Sequence, residues 1–208
     1  MKKVEDYEIQ LEKSNDKGMF NFQSIKNFLL KAKNEVFKIK LSGGYGTEFF
    51  CKIQYKENDY LLLPVLITCN NVLKKDVIVS QNDIKLIFND GKEFIISLKE
   101  ARKKWVDKKM DFTIIEIKKN DDIEEYFQLD DILFEKNYSN ENYLGKKAII
   151  YGIDPSQRIG FSNRKYKKIF LKCFSSYTCN TYPGCSGGYI VKQNNNSAIS
   201  IHIGGDQN

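Results

Sequence analysis

Apolar residues in this chain arrive in short bursts, and most of the bursts alternate. Phe37, Ile39 and Leu41 alternate with Lys38, Lys40 and Ser42, the period-2 signature of a strand with one buried face. Ser42-Gly43-Gly44-Tyr45-Gly46 then supplies turn chemistry. Further strand-like stretches follow over residues 47–53, 60–68, 84–88, 93–98, 111–117, 147–152, 169–174, 188–192 and 198–203. Asn89-Asp90-Gly91 between two apolar runs is a hairpin signal, because Asp-Gly accepts the positive φ angles of a tight turn. Many short strands with Gly-rich turns predict an all-β chain. Residues 118–145 interrupt the series. They are polar and acidic at Asp121, Asp122, Glu124, Glu125, Asp130 and Asp131, and they read as a connector with a helical turn near residues 122–127. The strand sets on either side predict two antiparallel β-barrels in tandem.

Before the first strand, Phe22, Ile25, Phe28, Leu29 and Ala32 fall at helical spacing and predict one amphipathic helix. The expected organisation is a polar lead-in over 1–20, helix and first barrel over 21–118, a connector over 119–145, and a second barrel over 146–208. No apolar run nears the roughly 18 residues that span a bilayer, and the longest, residues 61–67, is broken by Pro64. The opening MKKVEDYEIQ has no apolar stretch after its lysines, so no secretory signal is expected.

The net charge of +6 comes almost wholly from Lys, with Arg limited to Arg102, Arg158 and Arg164. Phosphate-reading surfaces usually bring Arg and clustered charge. Here acidic residues are interspersed through the Lys-rich run at 99–109, which reads as a solvated loop. Neither a nucleic-acid nor a membrane partner is expected. The five cysteines are odd in number and follow no signal peptide, which argues for reduced thiols in a cytosol-like, cytoplasmic compartment. Cys173, Cys179 and Cys185 recur every six residues with no His between them, which is not zinc spacing. No metal or other cofactor is expected.

The sharpest local signal is Tyr182-Pro183-Gly184-Cys185-Ser186-Gly187-Gly188. A Ser among small residues, followed by two glycines and an apolar strand, is how a nucleophilic hydroxyl is set on a tight turn. The glycines let backbone N–H groups converge on a developing oxyanion. An ordinary Gly-rich hairpin has the same composition.

Four segments in order give this loop a context. Gly46-Thr47-Glu48-Phe49-Phe50-Cys51-Lys52-Ile53 resembles a Gly-Thr-Gly-Phe strand, and Leu61-Leu62-Leu63-Pro64-Val65-Leu66-Ile67-Thr68-Cys69-Asn70-Asn71-Val72-Leu73 resembles a segment reading Leu-Thr-Asn-x-His-Val-Leu. Asp111-Phe112-Thr113-Ile114-Ile115-Glu116-Ile117 resembles the strand led by a triad aspartate. Gly184-Cys185-Ser186-Gly187-Gly188 and Ser200-Ile201-His202-Ile203-Gly204-Gly205 resemble a nucleophile loop and the pocket strand that follows it. Over residues 36–205 the chain thus resembles the trypsin-like, chymotrypsin-fold serine peptidases. Within them it is similar to intracellular trypsin-like peptidases that share features with staphylococcal glutamyl endopeptidases.

The resemblance implies a Ser-His-Asp triad acting on a peptide or protein, with Ser186 as nucleophile, Asp111 as orienter and the Gly184 and Ser186 N–H groups as oxyanion hole. The general-base position holds Asn71, and an amide nitrogen has no basic lone pair near neutral pH. The only histidine is His202. In the glutamyl endopeptidases the matching His, with a Thr five residues before the nucleophile, recognises an acidic side chain. Thr181 and His202 stand at those positions. Three readings of His202 stay open: a satisfied polar residue on a half-buried strand, part of an acidic-residue pocket, or a substitute base. Cys185 reads as a neighbour of the oxyanion hole. Other departures from the pattern are Glu48 for the second Gly of Gly-Thr-Gly, Tyr189 for the usual Pro, and an end at Asn208 that leaves the second barrel short. The expected function is a catalytically impaired peptidase homologue, a peptide-binding or scaffold module. Its rival is an active serine endopeptidase preferring acidic residues before the scissile bond.

Overall fold

The computed structural model describes residues 36–41, 44–55, 58–80, 83–88, 91–99, 101–134, 143–153, 159–170, 174–177, 181–192 and 197–204. The expected helix over 22–32, Cys173, Cys179 and Gly205 lie outside them.

The alternating bursts become antiparallel strands. β1 (Val36–Leu41), β2 (Gly44–Tyr55), β3 (Asn58–Thr68), β4 (Asp83–Ile87), β5 (Glu93–Ser97), β6 (Lys104–Asp107) and β7 (Phe112–Glu116) form one sheet in the order β5-β4-β1-β2-β3-β7-β6. β8 (Lys147–Ile153), β9 (Ile159–Phe170), β10 (Phe174–Tyr177), β11 (Tyr189–Lys192) and β12 (Ala198–Ile201) form a second in the order β10-β9-β8-β11-β12. A short helix α1 (Lys75–Ser80) follows β3. The Asp-Gly hairpin forms as read: Ile87 faces Glu93 in the β4–β5 ladder, and Gly91 N–H donates to Phe88 O at 3.0 Å.

Four expectations change. The Lys-rich run expected to be a loop contains β6, because Trp105 and Val106 turn apolar faces inward between exposed lysines. The single strand expected over 169–174 is instead the top of a hairpin, with Phe170 paired to Phe174. The closed barrels are, among the described pairings, two open-ordered sheets. The edges β5 and β6 are consecutive in the chain, and the ladder breaks between them where Arg102 turns inward. Its guanidinium forms a bidentate pair with Asp121, Nη1 to Oδ2 at 2.9 Å and Nη2 to Oδ1 at 3.1 Å.

The helical turn expected near 122–127 is displaced to 3-10 turns at Lys119–Asp121 and Asp131–Phe134. Between them the connector stitches the halves together. Phe127 N–H donates to Phe50 O on β2 at 2.8 Å, and Asp130 N–H to Ala198 O on β12 at 3.0 Å.

Strand alternation divides the core. Phe37, Ile39, Phe50, Leu66, Leu73 and Leu86 fill one cluster within the larger sheet. The opposite faces of β2 and β3 send Phe49, Cys51 and Val65 into a seam with Tyr151, Tyr189 and Val191 of the second sheet. Phe127 lies in that seam with its ring 4.0 Å from Tyr189, which stacks on Tyr151 at 4.7 Å and 9°. Tyr189 is thus a fully buried anchor joining the two sheets.

Candidate active site

The candidate residues gather where β2, the turn after β3, the turn before β7, the loop before β11 and the end of β12 meet. Asp111 closes the β6–β7 turn with φ of 50°, a left-handed conformation that Asp tolerates better than most residues. That backbone presents its carboxylate to the turn after β3. Oδ1 accepts the Asn71 backbone N–H at 2.8 Å, and the Asn70 N–H also supports the carboxylate. Partial burial raises the Asp111 pKa from its ordinary value, partly offset by those two N–H donors.

Asn71 is exposed, and its side chain turns toward the second half: Nδ2 donates to Ile203 O at 3.2 Å. The amide therefore contributes a donor, and its nitrogen, whose lone pair is delocalised into the carbonyl, is not basic enough to take a hydroxyl proton.

The loop bearing Ser186 is folded by its own backbone and clamped from outside. Cys185 N–H donates to Tyr182 O at 3.0 Å, and Gly188 N–H to Cys185 O at 2.9 Å. Gly187 N–H donates to His202 O at 2.8 Å, and His202 N–H to Gly188 O at 2.7 Å, tying the loop to the end of β12. Gly184 and Gly187 have φ of 101° and 88°, which L side chains rarely adopt. A Cβ on Gly187 would also collide with Thr47 O and lie 2.5 Å from Thr68 Oγ1. Of these loop N–H groups, those of Cys185 and Gly188 are consumed within the loop and that of Gly187 by His202 O. Those of Gly184 and Ser186 meet no acceptor among the described residues.

Cys185 is buried, and its sulfur packs where a Cβ on Gly152 of β8 would come within 2.6 Å. Ser186 beside it is half-buried. Cys69 is also buried and donates to His202 O at 3.0 Å. Burial, reinforced by the Asp111 carboxylate, pushes its thiol up to about 12, so it stays a protonated donor at neutral pH.

His202 is 4 % exposed, and burial lowers its imidazole to about 4. At neutral pH the ring is uncharged. Thr181 is half-buried at the start of the loop and takes no part in these bonds. The hydrogen bonds therefore bring together Asn71, Asp111, the Ser186 loop and the His202 backbone, but they do not join Thr181 to His202.

Two threonines that the sequence reading passed over hold the site across the halves. Thr47 on β2 donates its N–H to Ser186 O at 3.0 Å and its Oγ1 to Gly184 O at 2.7 Å. Thr68 Oγ1 donates in turn to Thr47 O at 2.9 Å. Both threonines are fully buried, and the signal available in the sequence is a Thr set among apolar strand residues.

No family model matches the sequence, and no curated protein matches it. Solved structures match the fold. The serine endoprotease from Yersinia pestis superposes with a TM-score of 0.60 at 10 % identity, over 89 % of this chain and 58 % of that one. Deg5 gives 0.61 at 13 % identity, over 91 % of this chain and 88 % of that one. The inactive form of the Rv3671c protease, of M. tuberculosis, gives 0.58 at 12 % identity, over 88 % and 83 %. The fold is that of the trypsin-like serine endoproteases.

Proposed function

We propose that this chain is a trypsin-like serine endopeptidase homologue that has lost its general base and works as a peptide-binding or scaffold module. The observation that carries the reading is Asn71. Its backbone N–H meets the Asp111 carboxylate as an orienting contact, while its side-chain amide donates to Ile203 O. In the triad reaction the Ser hydroxyl attacks a carbonyl carbon as its proton leaves to an imidazole. Asn71 provides no group basic enough to take up that proton.

The rest of the machinery supports retained binding. The Gly184 and Ser186 N–H groups are the proposed oxyanion donors, and the loop between them is held by bonds to both halves. Thr181 and His202 are the proposed recognition residues for an acidic side chain, the neutral imidazole acting as a hydrogen-bond donor rather than a cation. A peptide or protein is the expected ligand. Cys51, Cys69 and Cys185, none in a disulfide, fit a reducing, cytoplasmic setting. Among the described residues no helix is long and apolar enough to cross a membrane.

The test is labelling of Ser186 by a fluorophosphonate, with Ser186→Ala as control. Loss of a triad member typically costs about 10⁴- to 10⁶-fold in kcat, so the chain as it stands should label slowly and turn over no peptide measurably. Asn71→His should accelerate labelling by at least about 100-fold. Robust Ser186-dependent cleavage by the unaltered chain would favour the rival reading, an active endopeptidase with acidic preference.

A further inference from the structure

We propose that Thr47 is a positioning residue that sets the conformation of the oxyanion loop from the opposite half of the molecule. The inference rests on reading 184–188 as that loop.

The argument follows the peptide planes. In a trans peptide the C=O and the following N–H point opposite ways, so bonding both ends of a plane fixes its rotation. In the Gly184–Cys185 peptide, the carbonyl accepts Thr47 Oγ1 at 2.7 Å and the N–H donates to Tyr182 O at 3.0 Å. In the Ser186–Gly187 peptide, the carbonyl accepts Thr47 N–H at 3.0 Å and the N–H donates to His202 O at 2.8 Å. Thr47 therefore grips the planes on either side of the Cys185–Ser186 peptide. That middle plane has its carbonyl on Gly188 N–H at 2.9 Å, which turns the Ser186 N–H the other way.

The side-chain hydroxyl matters more than the backbone contact, because Gly184 is the weak point. It sits at φ of 101°, and a glycine reaches other φ values at little steric cost. With no hydroxyl on its carbonyl, the Gly184–Cys185 peptide is held at one end only, by Cys185 N–H on Tyr182 O, and rotation about the Gly184 φ and ψ bonds can then redirect the Gly184 N–H. Thr47 itself is held by Thr68 Oγ1 on its carbonyl at 2.9 Å and is fully buried. Its hydroxyl hydrogen is thus committed to Gly184 O and is not shared with solvent.

The test uses the full chain with Thr47→Val, which keeps the shape and removes the hydroxyl, and Thr47→Ser, which keeps the hydroxyl. Amide NMR reads the loop whether or not the chain can be labelled. Thr47→Val should shift the Gly184, Cys185 and Ser186 amide signals and speed exchange of the Cys185 N–H by about tenfold or more, while Thr47→Ser stays near the parent. In an Asn71→His background, Thr47→Val should slow fluorophosphonate labelling of Ser186 by about 10- to 100-fold, and Thr47→Ser should restore it. Loop amides in Thr47→Val that coincide with the parent's would overturn the inference, as would a Thr47→Ser chain no better than Thr47→Val. An Asn71→His chain that never labels counts against the proposed function alone, since the amide spectra still decide the role of Thr47.

Discussion

Glu48 shows how one residue can hide its consequence in a sequence. Its departure from the Gly-Thr-Gly pattern was visible, but its direction was not. In β2 the side chains alternate, so Thr47 and Phe49 face the seam while Glu48 shares its face with Phe50 and pairs with Phe37. Glu48 is fully buried, and among the described residues neither carboxyl oxygen has a hydrogen-bond partner. Burial holds its pKa well above the usual carboxylate range, so the folded chain keeps a proton that the unfolded chain releases near pH 4.3. Stability from this group is therefore fully present below that pH and declines as pH rises toward the folded-state pKa. Glu48→Met should stabilise the protein at pH 7 by roughly 1–3 kcal/mol. In urea unfolding, the gain over the parent should shrink as pH is lowered toward 4. A gain independent of pH would mean that Glu48 finds a partner. Asn71, Asp111 and Ser186 can be put forward from residue type and motif order alone, whereas burial depends on strand phase and on what packs above it.

At the scale of elements, strands with clear alternation and the Asp-Gly hairpin could be read directly. The misses share a cause: charge masked the period. β6 has only Trp105 and Val106 between Lys104 and Asp107, and α1 has one buried residue, Ile78, in its six. The connector is polar and acidic in the sequence, yet Asp121 is buried against Arg102. The pair is further held by Arg102 Nη1 on Glu116 O at 3.0 Å and Lys118 N–H on Asp121 Oδ2 at 2.6 Å. Removing one partner leaves a buried charge uncompensated, which typically costs about 3–5 kcal/mol. Asp121→Ala should approach that loss in chemical denaturation, and Arg102→Met combined with Asp121→Leu should recover much of it. Losses that simply add in the double variant would show that the two groups stabilise the fold independently.

For the whole molecule, the join between the halves is what the sequence could not express, since it is made by residues far apart in the chain. The aromatic seam supplies apolar burial, and the end of β12 supplies the polar latch. His202 is central to that latch: its carbonyl takes Gly187 N–H and Cys69 Sγ, and its N–H holds Gly188 O. Its buried imidazole is lowered to about 4 from an ordinary 6.5, so the folded state resists a proton that the unfolded state accepts. Stability from this group is complete above about pH 6.5 and is lost as pH falls toward 4, by about 3 kcal/mol over that range. Glu48 acts in the opposite sense across the same interval, so the parent protein should show a flattened profile. The Glu48→Met variant removes that compensation. Its melting temperature should fall steeply between pH 6.5 and 4, and adding His202→Gln should flatten the curve again. Because His202 latches the Ser186 loop to β12, the acid-induced loss should be accompanied by faster exchange of the Gly187 and His202 amides before global unfolding. If Glu48→Met melts at the same temperature at pH 6.5 and pH 4, His202 is not the group that makes the latch sensitive to acid.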